Sequence, residues 1–302
     1  MGQLALGPRS AAALLLVIGL WLTSAPPPIP ARERAPQAGY RVIAADFHVH
    51  SFPGDGGLAP WDLAREARRR HLDAIALTNH NSTYSWRLAR WLSLTGGPGD
   101  ALLIPGAELT SIGFHLATVG ITEPVAWRQS AAAAAAAVHA RGGAAIAAHP
   151  GRSSWRFLDD AALAALDGVE LDHPSGLVSR ETLRQLEAFY ARARRVHPSI
   201  AAIGSTDFHH FAPVGLDRTY LLVTGLTPAA VVDAIRAGRT VACDGEGNAH
   251  GQPELVAMVE ADCRLDATLA PDGETAADRI GTWLIWLGVV ALVVCGPVER
   301  LA

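Results

Sequence analysis

Short runs of consecutive apolar residues alternate with amphipathic helical patterns through the middle of the chain. The strand-length runs lie at residues 42–47, 74–78, 102–105, 114–119, 144–148, 169–171, 200–204 and 220–223. The helical patterns lie at residues 61–70, 84–94, 126–141, 158–166, 180–195 and 228–237. Apolar runs without polar alternation are typical of parallel strands that are buried on both faces. The pattern therefore predicts an α/β fold, and the number of strand–helix units favours a TIM-like barrel.

One connection departs from this alternation, because no helical pattern separates the runs at residues 102–105 and 114–119. We therefore expect the barrel, assigned to residues 40–243, to be distorted. Residues 244–279 are mostly polar and contain glycine and proline, which predicts a tether that carries at most a short hairpin or helix.

Both ends of the chain carry uncharged apolar segments. The apolar residues that follow Arg9 precede a proline cluster, which is typical of a signal peptide or signal anchor and linker over residues 1–39. Residues 280–298 are uncharged over a bilayer-spanning length and predict a transmembrane helix. The sequence thus predicts a membrane-anchored protein. The signal-like start favours a periplasmic or extracellular domain, whereas arginines near the two segments favour a cytoplasmic one.

The composition excludes several classes of chemistry. The 302 residues are 50% hydrophobic and 18% charged, which excludes a disordered chain, and the net charge of -4 argues against non-specific nucleic-acid binding. All 25 basic residues are arginines, so lysine Schiff-base chemistry and a P-loop lysine are excluded. The 3 cysteines form no CxxC pair, which excludes a disulfide scaffold and a thiolate zinc cluster.

Histidines and carboxylates follow the predicted strands. The carboxyl ends of parallel barrel strands converge on one rim, where such enzymes keep their sites. The side chains at these positions are His48, His50, His80, Glu108, His115, His149, Asp207 and His209. Asp55 lies on a glycine-rich loop after His50 and could fold back to the same rim.

Imidazole and carboxylate ligands without thiolates suit zinc, manganese or iron. These residues exceed what one tetrahedral ion needs, so they imply two or three divalent metal ions. Clustered ions stabilise the attacking and leaving oxygens of a displacement at phosphorus, and a metal-activated water could attack. Glu108 could bridge two ions, and we take Glu108 and Asp207 as the candidate catalytic residues.

The same residues form an ordered set of motifs. These motifs are HxH at His48 and His50, an aspartate at Asp55, Thr-Asn-His ending at His80, Gly-Ala-Glu ending at Glu108, Ala-His-Pro around His149, and Gly-Ser-Thr-Asp-Phe-His, which contains Asp207 and His209. This pattern resembles the PHP (polymerase and histidinol phosphatase) family over most of residues 42–223. The wording around Glu108 is similar to the branch of exported metallohydrolases that includes carbaryl hydrolase.

The resemblance implies a distorted seven-stranded barrel that hydrolyses phosphoesters with two or three metal ions. Carried over to this sequence, the metal ligands are His48, His50, Asp55, His80, Glu108, His115, His149, Asp207 and His209. Two positions depart from the family pattern. Asn79 stands where the family has an aspartate, so a carboxylate that would support a neighbouring ligand is lost. Thr206 lengthens the usual Gly-Ser-Asp motif by one residue.

Three further residues are candidates for substrate binding. Arg152 and Arg218 could hold a phosphate oxygen, and His210 could contact the substrate. Glu170 could support a metal ligand, although a structural carboxylate is the favoured interpretation. The sequence thus predicts a metal-dependent phosphoesterase that acts on a small molecule, with no protein partner predicted. A carbamate or carboxyl-ester hydrolase on the same metals and a non-catalytic metal-binding sensor remain open.

Overall fold

The computed structural model describes residues 7–22, 32–92, 101–172, 180–209, 212–269 and 276–295. They belong to two compact units, one formed by Met1–Pro27 with Glu274–Ala302 and the other by Pro28–Gly273. In chain order the elements are α1 (Pro8–Leu22), β1 (Arg41–Val49), α2 (Pro60–Arg69), β2 (Ala74–Leu77), α3 (Tyr84–Trp91), β3 (Leu102–Thr110), β4 (His115–Val119), α4 (Ala131–His139), β5 (Ala144–Ala148), α5 (Asp160–Ala165), β6 (Gly168–Asp172), α6 (Arg180–Val196), β7 (Ala201–Gly204), β8 (Arg218–Val223), α7 (Pro228–Arg236), β9 (Thr240–Cys243), β10 (Ala249–Gly251), α8 (Pro253–Leu269) and α9 (Ala276–Val294).

The larger unit is built on one 10-stranded sheet with the order β10-β9-β8-β1-β2-β3-β4-β5-β6-β7. Strands β1, β2 and β3 are parallel, as are β5, β6 and β7, and β4 pairs antiparallel with both of its neighbours. Strand β7 lies beside β9, so the sheet curls into a nearly closed barrel. The predicted α/β barrel is confirmed, and its expected distortion is the antiparallel β3–β4 hairpin.

The number of strands differs from the seven that the family resemblance implies. Strands β8, β9 and β10 extend the sheet beyond β1 as antiparallel neighbours. Residues 240–243 and 249–251 are too short to produce a clear apolar pattern of their own, which is why β9 and β10 escaped prediction.

Residues 244–269, assigned to a tether from the sequence, contain β10 and the 17-residue helix α8. A disulfide joins Cys263 of α8 to Cys243 of β9, and both cysteines are buried. Asp266 of α8 accepts a hydrogen bond from Arg34, which also pairs with Asp73 at 2.6 Å. The helix is therefore packed against the barrel by a covalent bond and a buried ion network.

In the smaller unit, α1 and α9 pack closely where glycines leave room. A side chain at Gly19 would meet the carbonyl oxygen of Gly281 at 2.7 Å, and one at Gly288 would meet that of Ala12 at 2.9 Å.

Among the helices of the described ranges, none is long and apolar enough to cross a membrane. The uncharged part of α9 runs from residue 280 to 294, roughly 22 Å at the rise of an α-helix, whereas a bilayer core is about 30 Å thick. The predicted membrane-anchored localisation is therefore wrong, and residues 296–298 of the predicted transmembrane helix lie outside the described residues.

Candidate metal centre

An irregularity in β1 directs the two histidines of the HxH motif to one side. Val42 and Ala44 belong to the core cluster outside the barrel, so strict alternation would send His48 there too. The register with β2 shifts between Asp46 and Val49, and Val49 takes the outer position instead. A bulge of this kind re-aims side chains, and it turns both histidines toward the same cluster of ligand atoms.

The antiparallel β3–β4 hairpin places Glu108 next to the imidazoles from β4 and β5. Thr110 pairs with His115 across the hairpin, and His115 pairs with Ala148 at the end of β5. His149 follows directly. The connection without a helix, noticed as a departure in the sequence, is thus what brings these ligand candidates together.

Two of the candidates have a strained backbone. His149 has a φ of 30° and Asp207 a φ of 47°, a region that non-glycine residues rarely adopt. Such conformations persist when the surrounding structure over-determines them, and they concentrate at functional sites.

The residues with ligand-type atoms close together fall into three groups, each with all such atoms within 4.8 Å of one another. The groups are His50, Asp55, His80 and His209; His48, His50, Glu108 and Asp207; and Glu108, His115 and His149. All nine ligand candidates from the sequence belong to at least one group. His50 is shared by the first two groups and Glu108 by the last two.

The distances within the groups are those of ligands around common ions. Asp207 Oδ1 lies 3.0 Å from His48 Nε2 and 3.1 Å from His50 Nε2. Asp55 Oδ2 lies 3.1 Å from His80 Nε2 and 3.3 Å from His209 Nε2. Two ligands on one tetrahedral zinc ion lie ~3.4 Å apart, given metal–ligand bonds of about 2.1 Å.

Glu108 is surrounded by imidazoles. Its Oε1 lies 2.6, 3.3 and 3.6 Å from nitrogens of His115, His149 and His48. Its Oε2 lies 2.5 and 3.5 Å from nitrogens of His80 and His50. One carboxylate therefore faces five histidines with both of its oxygens.

Two buried histidine nitrogen atoms test whether these residues could bind metal ions. The Nε2 atoms of His48 and His50 are buried and form no hydrogen bond of normal geometry. Buried polar atoms are almost always satisfied, so an exception needs an explanation. Both atoms face the carboxylates of Asp207 and Glu108 but form no hydrogen bond with them. Nitrogen atoms that share a divalent ion with these carboxylates would be arranged in this way. The residues present fit metal ions.

The charges of the cluster oppose the effect of burial. Burial alone lowers the pKa of His48, but the charges of Glu170, Asp207 and Glu108 raise that pKa well above its usual value. Burial likewise raises the pKa of Glu108, yet the charge of His48 and the neighbouring imidazoles hold it well below its usual range. A hydrogen bond from His50 lowers the pKa of Asp55 in spite of its partial burial. Glu108 and Asp55 are therefore held as anions, the form that binds metal.

Glu170 supports two of the ligand candidates. From the sequence, a purely structural carboxylate was the favoured interpretation of this residue. His48 Nδ1 donates to its Oε1 at 2.8 Å, and the backbone N–H of His149 donates to its Oε2 at 2.6 Å. Ser205 donates to the same carboxylate at 2.6 Å. The signal for this role was a carboxylate, Glu170, between the apolar residues Val169 and Leu171 of β6.

Two other supporting residues were missed. Thr110 Oγ1 lies 2.6 Å from His80 Nδ1. Asp46 is fully buried and accepts hydrogen bonds from the backbone of His48 and from Thr206. Burial raises the pKa of Asp46 to about 6, although these hydrogen bonds oppose the shift. The inserted Thr206 is therefore fixed by Asp46 rather than left in a loose loop.

Asn79 does not act on His80 as its position in the motif suggests. Its side chain donates to the carbonyl oxygen of Ser51 at 2.6 Å and accepts from the Ser51 hydroxyl at 3.0 Å. It therefore ties the loop after the HxH motif to the end of β2.

The substrate-binding candidates are less well supported. Arg218 is buried, donates to the carbonyl oxygen of Arg70 at 3.1 Å and lies 4.0 Å from Asp266, so it belongs to the network under α8. Burial lowers the pKa of Arg218 to about 10. Arg152 is exposed, with its guanidinium over Trp155, and its contact with substrate stays a prediction. His210 lies outside the described residues.

The structure is similar to solved structures of other proteins. A two-domain protein from Bacteroides vulgatus ATCC 8482, containing a predicted PHP-like metal-dependent phosphoesterase, matches with a TM-score of 0.59 at 20% identity, over 78% of this chain and 74% of that chain. PsfC from Pseudomonas syringae PB-5123 matches with a TM-score of 0.49 at 18% identity, over 75% and 98% of the two chains. The lesion-specific endonuclease PfuEndoQ from Pyrococcus furiosus matches with a TM-score of 0.45 at 13% identity, over 78% and 73%.

The first of these likenesses supports a PHP-like fold, as the motifs imply. No family model and no curated protein matches the sequence. The finer similarity to the carbaryl-hydrolase branch stays a prediction, and the activity has to be argued from the site.

Proposed function

We propose that this protein is a metal-dependent phosphoesterase that holds two or three divalent ions of manganese, zinc or iron. The observation that carries the proposal is the overlap of the three ligand groups, which share His50 and Glu108. Separate histidine clusters would suit isolated ions, whereas shared ligands hold ions next to each other. Adjacent ions are the arrangement used for displacement at phosphorus.

Divalent ions at this site would lower the pKa of a water and neutralise charge on the phosphoryl oxygens. Glu108, which belongs to two of the ligand groups, would be among the residues that hold adjacent ions. Glu170 fixes the tautomer of His48 by accepting from Nδ1, which leaves Nε2 as the ligand atom. Asp207 is partly exposed beside both HxH imidazoles, and we assign it as the base that takes the proton of the attacking water.

The charge balance of the site favours phosphoesters over neutral esters. Two or three divalent ions bring a charge of +4 to +6, and the carboxylates of Asp55, Glu108, Glu170 and Asp207 bring -4, so the loaded site has a net charge of about 0 with two ions and about +2 with three. A site with three ions therefore attracts an anionic phosphoester. A neutral carbamate or carboxyl ester is not attracted by this net charge, although the ions would polarise its carbonyl group too.

The test is elemental analysis of the full chain, purified after growth with manganese, zinc or iron, followed by a screen of phosphomonoesters, phosphodiesters, carboxyl esters and aryl carbamates. We expect two or three equivalents of metal and turnover of phosphoesters. Asp207→Asn should abolish that turnover. Asp233→Asn is the matched control, because Asp233 is an exposed aspartate of α7 that pairs with Arg239. Bound metal without turnover of any phosphoester would refute the proposal.

A further inference from the structure

A pocket of about 430 Å³ opens directly beside the candidate metal centre. Asp55 and His80 form part of its wall, together with Asn79, Ser82 and Tyr84. The side chains of Asp55 and His80 are 46% and 40% exposed, whereas those of His48, His50 and Glu108 are buried. One accessible side of the cluster therefore faces this pocket.

Tyr84 connects this pocket with a second one along α3. The second pocket has a volume of about 740 Å³ and is lined by Tyr84, Trp86, Arg87, Leu88, Arg90 and Trp91. Positions 84, 87, 88 and 91 are three or four residues apart, so they share one face of the helix. The opposite face is buried through Ser85 and Ala89.

The chemistry of this face suits a flat ring. Tyr84 is 56% exposed and Trp91 is 79% exposed, and both line the second pocket, so this face of the helix carries an exposed aromatic patch. Arg87 and Arg90 add two guanidinium groups, and the described residues that line the second pocket include no carboxylate. Aromatic rings interleaved with arginines bind aromatic and heteroaromatic rings by stacking and cation–π contacts.

The start of α3 is fixed before any ligand binds. The backbone N–H of Tyr84 donates to Ser82 Oγ at 3.1 Å. Thr83 donates from its hydroxyl to the carbonyl oxygen of Thr122 at 3.0 Å. The backbone of Tyr84 is thus held in place relative to His80, which lies four residues earlier.

We propose that Tyr84 and the adjoining face of α3 bind the alcohol part of the substrate, and that this alcohol carries a flat aromatic or heteroaromatic ring. The inference rests on the proposed phosphoesterase function, because it places the phosphoryl group at Asp55 and His80 and the ring on Tyr84. Tyr84 is then a specificity-determining residue that acts on the choice of alcohol and not on the reaction at phosphorus.

The test compares alcohols with and without a ring on the full, metal-loaded chain. Adenosine 5′-phosphate and glycerol 3-phosphate are both esters of primary alcohols, so their comparison isolates the ring from leaving-group reactivity. Benzyl phosphate supplies a ring from another source and is also the ester of a primary alcohol. The methyl diesters of the same alcohols cover the case of a diesterase. The quantity measured is the ratio of kcat/KM for the ring-bearing ester to that for the glycerol ester.

We expect Tyr84→Ala to lower this ratio by about 5- to 100-fold, the range that loss of one stacking contact produces. Tyr84→Phe should keep the ratio, because it retains the ring. Arg87→Ala should lower it by a smaller factor. Arg128→Ala is the control, since Arg128 is an exposed arginine stacked on Trp127 that lines neither pocket.

The outcomes separate the two proposals. If metal is bound and no phosphoester is hydrolysed, the phosphoesterase function is refuted and this inference with it. If phosphoesters are hydrolysed and the ratio is the same in Tyr84→Ala as in the original protein, only the inference is overturned. If Tyr84→Ala lowers the adenosine ratio more than the benzyl ratio, the ring is that of a nucleoside, and the reverse order identifies a simple aryl group; both support the inference.

Discussion

Replacing Glu108 with glutamine tests whether the ligand groups form one cluster. The two side chains have the same shape, so the change removes the negative charge and one acceptor oxygen with little effect on packing. Glu108 belongs to two of the three groups, and its oxygens face five imidazoles at 2.5–3.6 Å. His80 belongs to one group only.

The expected loss of metal follows from this membership. Glu108→Gln should lower the bound metal by more than one equivalent, whereas His80→Ala should lower it by about one. Loss of a residue that only supports a metal ligand typically lowers activity by about 10- to 100-fold. Glu108 is itself a ligand candidate, so Glu108→Gln should lower hydrolysis by more than about 100-fold. His80→Ala should keep residual turnover.

The assay is elemental analysis and phosphoester turnover on the same preparations, with circular dichroism to check folding. Both variants should stay folded, because a barrel of this size has a large apolar core and does not need metal to fold. His139→Ala is the control for His80→Ala, since His139 is a half-exposed imidazole paired with Asp167 at 2.8 Å. A Glu108→Gln protein with full metal content and normal turnover would refute the shared-ligand cluster and the function built on it.

Three further variants probe the surroundings of the site. Glu170→Gln should weaken metal binding by about 10- to 100-fold, measured by competition with a chelator, because His48 loses the carboxylate that orients it; unchanged affinity would contradict that role. Asn79→Asp should lower the free energy of unfolding by ~1–3 kcal/mol in a denaturant titration, because a carboxylate would face the carbonyl oxygen of Ser51; a more stable variant would show that the loop is held otherwise. Cys263→Ser should lower the free energy of unfolding by about 3 kcal/mol, because the lost disulfide closes a loop across a sequence separation of 20. Its metal content should be unaltered; a loss of metal would show that α8 supports the site.

The pattern of apolar residues predicted those strands whose position depends only on the burial of their side chains. The apolar run at residues 144–148 is the whole of β5, which is buried throughout. The apolar run that predicts β3 covers residues 102–105 only, yet the strand continues to Thr110. Pairing with β4 holds this second half in place, and a side chain at Gly106 would meet the carbonyl oxygen of Thr118 at 2.3 Å. That contact could not be read from the segment itself.

The ligand candidates were predictable for a topological reason. A residue at the carboxyl end of a parallel barrel strand lies on the common rim wherever its strand lies in the chain. Arg218 shows where this reasoning stops, because it shares the outer face of β8 with Tyr220 and Leu222 and is buried under α2 and α8. Its partner Arg70 is far away in the sequence, and no local pattern indicated the contact.

The role of Asn79 in the structure differs from the role that its position in the motif suggests. The motif gave its position, directly before His80, and the family pattern suggested a role in supporting that imidazole. The side chain instead points to Ser51, and His80 Nδ1 is contacted by Thr110 and Glu108. Because neighbours along an extended segment point to opposite sides, the residue next to a ligand is poorly placed to touch that ligand's ring. Support for a ligand comes from neighbouring strands, as Glu170 of β6 supports His48 of β1, and such partners are found only once the order of the strands in the sheet is known.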